Sequence, residues 1–169
     1  MVLPDIEIIC LCRRGLVNPY DPSLVNPASL DVRLGENLLV EVEETSRLMP
    51  FSIAGHTKEK PFMLPPQEFV LAETLESFAI PSGVAAQFAL KSSRAREGLE
   101  HLMAGYIDPG YNGRLTLELL NARRMAPVAI WPGMRIGQLV FHKMAILPNR
   151  DYSATGRYQN DQTVQASKG

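Results

Sequence analysis

The sequence has little of several things that would settle its class at once. Only two cysteines occur in 169 residues. Cys10 and Cys12 form a C-x-C arrangement with no second pair to complete a metal site, and they read as buried or half-buried thiols of a protein in a reducing cytoplasm. A chain of this length needs neither a disulfide nor a metal to hold its core together. An excess of one charge is missing too: Lys+Arg 17 against Asp+Glu 18 leaves a formal net charge of −1. Without a basic excess, binding along a nucleic-acid backbone is not expected. Long apolar runs are also absent. The run Ile8-Ile9-Cys10-Leu11-Cys12 is far too short to cross a bilayer, and Arg13 and Arg14 follow it, which reverses the order of a secretory signal. Neither a membrane partner nor export is expected.

What is present suits an ordinary soluble globule, with 46% hydrophobic and 21% charged residues. Gly 12 and Pro 13, spread along the chain, point to many turns and short strands. Residues 4–14 predict a short helix with Ile6, Ile9 and Cys10 on its packed face, ending at Gly15. Residues 29–42 alternate, with Leu30, Val32 and Leu34 on one face and Asp31 and Arg33 on the other, as a half-buried strand would. Residues 46–66 read as loop. Strands are predicted over 68–80 and 84–90, joined by the turn Pro81-Ser82-Gly83. One or two helical turns with a serine cap should occupy 92–99. The cleanest strand runs over 114–120, and another over 136–144 follows the turn Trp131-Pro132-Gly133. About eight short strands with frequent turns make a compact all-β sandwich or barrel. It should fill residues 1–148 as one domain. Residues 149–169 are polar and carry Arg150, Arg157, Lys168, Tyr152 and Tyr158. They form either a frayed terminus or a mobile tail that orders over an anionic ligand.

Two segments could carry chemistry. Lys91-Ser92-Ser93-Arg94-Ala95-Arg96 follows a strand and opens a helical turn, so free N–H groups, hydroxyls and a lysine would suit a phosphate oxyanion. A capped helix with solvated arginines is the plainer alternative. In the second segment, Asp108 and Glu118 flank the turn Pro109-Gly110-Tyr111-Asn112-Gly113, whose glycines let a ligand approach the backbone. Glu118 lies mid-strand, where glutamate is disfavoured, and shares its face with Arg114 and Thr116. Buried there, it would titrate high, as a general base requires; salt-bridged there, it would be structural. His56, His101 and His142 have no ligand spacing. The H-x-E with P-C-x-x-C signature of zinc deaminases, the P-loop and the dinucleotide fingerprint are all missing, so hydrolysis would have to activate water with side chains alone.

At these two segments the chain resembles the dCTP deaminase family, the deaminating branch of the trimeric dUTPase-like β-fold. The likeness starts at Asn26-Pro27-Ala28-Ser29-Leu30-Asp31-Val32-Arg33-Leu34-Gly35 and includes residues 65–75, 91–96 and 104–121. It ends with Pro132-Gly133-Met134-Arg135-Ile136-Gly137-Gln138-Leu139. The resemblance implies a mainly β, distorted jelly-roll or β-clip barrel with a few short helices, assembled as a homotrimer with interfacial active sites. It implies attack of water on the cytosine ring without zinc or any other protein-bound metal, with Mg²⁺ carried by the substrate triphosphate. By the same likeness Glu118 is the base, while Ser92 and Arg96 position the water and the oxyanion. Asp108 would bind the sugar 3′-hydroxyl, and Lys91 and Ser93 the phosphates. Ala104 and Tyr106 would be further substrate contacts, and Tyr152, Arg157, Tyr158 and Gln162 would belong to the closing tail. Two departures stand out. The stretch between Leu99 and Ala104 is one residue shorter than usual in the family, which should reshape the loop entering the base pocket. Asp161 or an extra residue interrupts the usual placement of the tail glutamine.

The leading expectation is therefore hydrolytic deamination of dCTP to dUTP and ammonia in the cytoplasm, with dTTP as a feedback inhibitor. The alternative is a bifunctional enzyme that continues to dUMP and pyrophosphate. A dUTPase without deaminase activity and a non-catalytic trimeric nucleotide sensor are the remaining readings.

Overall fold

The computed structural model describes residues 1–43 and 45–169. Helix α1 (Asp5–Arg13) carries Asp5 and Glu7 in its first turn and Arg13 in its last, charges that oppose the helix dipole at each end. It stops at Gly15, whose φ of +97° a side chain would resist. Its packed residues are Ile8 and Cys12, not the predicted Ile6, Ile9 and Cys10. Ile6 is 73% exposed and Cys10 is exposed. Backbone bonds from Leu3 to Phe141 and from Asp5 to Pro27 seat the start of the helix and set its roll. Burial of Cys12 pushes its thiol up to about 11.

The chain then runs through β1 (Val17–Asn18), β2 (Val25–Asn26) and the long strand β3 (Ser29–Val42), followed by β4 (Thr45–Ser52) and β5 (Phe62–Leu64). Next come β6 (Phe69–Ala79), β7 (Val84–Leu90) and the short helix α2 (Ser92–Arg96). The strands β8 (Leu99–Glu100), β9 (Tyr106–Ile107), β10 (Asn112–Asn121), β11 (Val128–Ile130) and β12 (Arg135–Lys143) complete the body, and α3 (Tyr152–Thr155) begins the tail. Two of the strands lie inside the predicted loop 46–66; there, Phe51 and Phe62 pack ring to ring, their centroids 5.2 Å apart. Helix α2 is capped by Lys91 without a side-chain bond, not by a serine.

One sheet runs in the order β8-β10-β6-β3-β12-β7-β9, with antiparallel pairing, and β11 and β5 form a separate ribbon. β3 is long enough to serve both halves: its first residues pair with β12 and its later ones with β6 and β4, with a register shift between Leu34 and Leu38. The expected mainly β barrel with few short helices is what the chain forms, curled into a half-barrel.

The centre is wetter in charge than alternation predicted. On β3, Leu30, Val32 and Leu34 enter the core as expected, yet Asp31 is also only 1% exposed. Its carboxylate takes Lys91 Nζ on both oxygens at 2.7 Å and Asn26 Nδ2 at 2.8 Å. On β6, Glu76 is buried too and accepts from the backbone N–H of Arg33 at 2.9 Å and its Nε at 2.6 Å. β3 and β6 are thus covered on both faces, and their charges persist because each has donors; removing one partner of such a pair costs about 3–5 kcal/mol.

Candidate active site

Strand β10 builds the floor of the site. Leu115, Leu117 and Leu119 are buried while Arg114, Thr116 and Glu118 alternate with them at intermediate exposure. Each buried leucine contributes about 1.5–3 kcal/mol, which locks the register and therefore the direction of the polar face. Near its start β10 bulges against β6: Arg114 faces Ser77, Thr116 faces Glu73, and the Leu115 N–H goes to Thr74 Oγ1 at 3.1 Å in place of a ladder bond. The bulge sets Arg114 Nη1 3.0 Å from Glu73 Oε1.

A cavity of about 490 Å³ lies over this face. Its second wall is residues 104–108, held by the pairing of β9 with β7 and by the Phe88 N–H to Gly105 carbonyl bond at 2.7 Å. Gly105 is required there, since a Cβ would lie 2.6 Å from the Phe88 carbonyl oxygen. β9 ends the strand order and β10 stands one strand from its other end, and the curl of the sheet brings them to one cavity. The loop before it takes Leu102 and Met103 through positive φ and leaves Met103 87% exposed. The tail supplies the third wall with Tyr152, Tyr158, Asp161, Gln165 and Ser167.

Glu118 stands on the cavity wall, and among the described residues no side-chain hydrogen bond or ion pair reaches its carboxyl. Burial pushes its pKa up; a backbone hydrogen bond and the charge of His101 pull the other way. A carboxyl of this kind is a proton acceptor of raised basicity. Asp108 lies on the same cavity, exposed.

Of the predicted site residues, Glu118, Ala104, Tyr106, Asp108, Tyr152 and Tyr158 meet around this one cavity. Lys91, Ser92, Ser93, Arg96, Arg157 and Gln162 do not line it. Ser92, Ser93 and Arg96 are exposed on α2, and Lys91 is engaged by Asp31. Arg157 and Gln162 are exposed on the tail, with Gln162 Nε2 bonded to its neighbour Asn160. Sequence reasoning missed Tyr111, Arg114, Asp161 and Gln165 as lining residues. Arg114 was legible, two pleats from Glu118 on the same face. Asp161 and Gln165 reach the cavity only because the tail docks. Among the described residues no three His, Cys, Asp or Glu side chains gather as a metal site would need.

The dCTP deaminase-like family model matches residues 2–144. The chain belongs to that family. A relative in Mycobacterium marinum named dCTP deaminase, dUMP-forming is 39% identical over 99% of this chain and 95% of its own length. One of the same name in Clavibacter michiganensis is 37% identical over 99% of this chain and 90% of its own. The 2′-deoxycytidine 5′-triphosphate deaminase of Agrobacterium tumefaciens superposes with a TM-score of 0.68 at 23% identity, covering 84% of this chain and 48% of that one. At that identity it supports the fold alone, and this chain spans about half its length. The resemblance read from the motifs, and with it the enzyme class of a dCTP deaminase, therefore holds. The leading expectation of dUTP as final product does not: the relatives' names carry dUMP. The motifs around Asp108 and Glu118 are compatible with both products, which is why the sequence alone ranked them wrongly. No helix among the described residues of this dCTP deaminase-like chain is long and apolar enough to cross a membrane.

Proposed function

We propose that the chain converts dCTP to dUMP, ammonia and pyrophosphate, using two waters in succession at one site. The observation that carries this reading is Glu118, a desolvated carboxylate with no side-chain partner among the described residues, on the wall of a cavity of about 490 Å³. In the first step Glu118 accepts a proton from water as its oxygen bonds to C4 of the cytosine. The proton passes to the amino nitrogen, the C4–N bond breaks and ammonia leaves. In the second step water attacks the α-phosphorus, the bond to the bridging oxygen breaks and pyrophosphate leaves. Asp108, exposed at the cavity, would hold the 3′-hydroxyl and so place the α-phosphate. Ala104 and Tyr106 would contact the nucleotide beside it.

Ser92 and Arg96 would orient the attacked water and stabilise developing negative charge, with Lys91 and Ser93 at the phosphates. These exposed residues would reach the cavity from a neighbouring copy, in a trimer whose sites lie between subunits. The tail would close on the triphosphate, with Tyr152 and Tyr158 on the wall and Arg157 and Gln162 meeting the phosphates once the nucleotide is bound. Magnesium would enter as part of the nucleotide substrate. dTTP, with the same sugar and triphosphate, would compete for the cavity as a feedback inhibitor, in a cytoplasmic enzyme.

Incubating the protein with dCTP and Mg²⁺ and separating the products by ion-exchange chromatography tests the reading. dUMP and pyrophosphate in equal amounts with ammonia are expected. Accumulation of dUTP alone, or an unreacted nucleotide, would sink it.

A further inference from the structure

Glu73 sits in the middle of β6, fully buried, and has no part in the chemistry above. A carboxylate in the centre of a sheet persists only where donors replace its water. Four do so, and they divide by origin. Oε1 accepts from Asn37 Nδ2 at 2.8 Å and Arg114 Nη1 at 3.0 Å, both from the body of the protein. Oε2 accepts from Thr163 Oγ1 at 2.8 Å and the Val164 N–H at 3.1 Å, both from the tail. Gly35 makes the room: a Cβ there would stand 2.5 Å from Glu73 Cγ.

The contacts on either side run in the same direction. The Val164 side chain is 7% exposed and packs with Leu39 and Leu71. Gln165 N–H donates to Thr116 Oγ1 at 3.1 Å, and Arg114 N–H to the Asp161 carbonyl at 2.8 Å, where Asp161 bridges Gly113 in parallel. Lys168 Nζ closes the segment on Asp161 at 2.7 Å. The result is a strap along β10 that sets Tyr158, Asp161, Gln165 and Ser167 on the cavity wall.

We infer that Glu73 is a positioning residue, the buried anchor onto which the C-terminal tail latches through Thr163 and Val164, and that this latch sets how firmly the cavity closes over its ligand. One oxygen grips Arg114 on the strand that carries Glu118, and the other grips the tail, so strand and lid share a single carboxylate. The inference rests on the proposed function only for what the closed cavity holds; the latch itself does not depend on it.

The test uses the full-length protein, with residue-resolved amide hydrogen exchange and steady-state kinetics on dCTP. Glu73→Gln puts an amide NH₂ against a pair of donors, and Thr163→Val removes one tail donor without touching the core. In the wild type the Val164 amide should exchange at least about 100-fold more slowly than that of Ser167, as a buried bonded N–H does. Both variants should lose protection at Val164 and Gln165 while Leu117 and Leu119 keep theirs. Thr163→Val should raise KM by about 3–10-fold, the change one lost hydrogen bond yields, with kcat within about twofold. A wild-type Val164 amide as fast as Ser167, or unchanged exchange and KM in Thr163→Val, overturns the latch. So does a Glu73→Gln protein that loses protection throughout β10 beside a normal Thr163→Val, because Glu73 would then serve the sheet alone. A protein that shows the latch but leaves dCTP unreacted overturns the proposed function and not the latch.

Discussion

The polar face of β10 and the helical turn α2 contain the two halves of the proposed machinery, yet the fold treats them oppositely. β10 is paired on both sides and its leucines are buried, so Glu118 is fixed in a cavity with residues of β9 and of the tail around it. α2 has no buried residue; Ser92, Ser93 and Arg96 stand at the surface, outside that cavity. A half-buried carboxylate with no side-chain partner among the described residues, and an exposed serine and arginine outside the cavity, are each incomplete. Under the proposed function, one chain would supply half of the constellation at a given cavity and a copy related by symmetry the other.

The strongest way to break this comparison is to remove the base. Glu118→Gln should lower the deamination rate by about 10²–10⁴-fold while leaving nucleotide binding, measured by calorimetry, within a few-fold. A near-normal rate would take Glu118 out of the chemistry. The division between copies is sharpened by mixing. Ser92→Ala and Glu118→Gln should each be almost inactive as homotrimers. Co-refolded in equal amounts they should recover about a quarter of wild-type activity, because one interface in four pairs an intact Glu118 with an intact Ser92. No recovery would mean both residues serve a site within one chain.

A smaller effect concerns the field around Glu118. Its carboxyl titrates above the usual range because of burial, and positive charge on His101 draws it down. The ionised form is the base, so kcat/KM should fall as pH drops through that raised pKa. His101→Gln removes the cation and should move the acid limb to higher pH by a fraction of a unit, read from the pH–rate profile; a limb that moves down or stays would contradict the assignment. The same shift has a sign for stability. A carboxyl raised in the folded state costs stability above its folded pKa and nothing below its unfolded one. Glu118→Gln should therefore melt higher than wild type at neutral pH, with the gap closing as pH falls through that window, by calorimetry. Last, Gly105→Ala drives a methyl group against the Phe88 carbonyl and should cost about 1–3 kcal/mol in denaturant unfolding.

Much of the fold was legible because local pattern and tertiary role agreed. The strand at 84–90 appears at its predicted bounds, the alternation of 114–120 places Glu118 with Arg114 and Thr116, and Gly15 ends the first helix. The failures have physical causes. Helix α1 rolled because its start is tied elsewhere, and 46–66 held β5, whose partner β11 is distant in sequence, and most of β4, which completes a hairpin with β3. Asp31 read as a polar-face position of a half-buried strand; it is buried, as are Glu73 and Glu76 on β6, because β3 and β6 are covered on both sides.

The amino-acid sequence by itself determined the kind of strands, the polar face that bears Glu118 and the family to which the chain belongs, since side-chain period and motif order are local properties. Only the tertiary structure decided what those residues meet. The curl that brings β9 to β10, the bulge that turns Arg114 onto Glu73 and the seat of the tail all arise from contacts between segments far apart in the chain, where burial and the need to pair every buried charge override local preference.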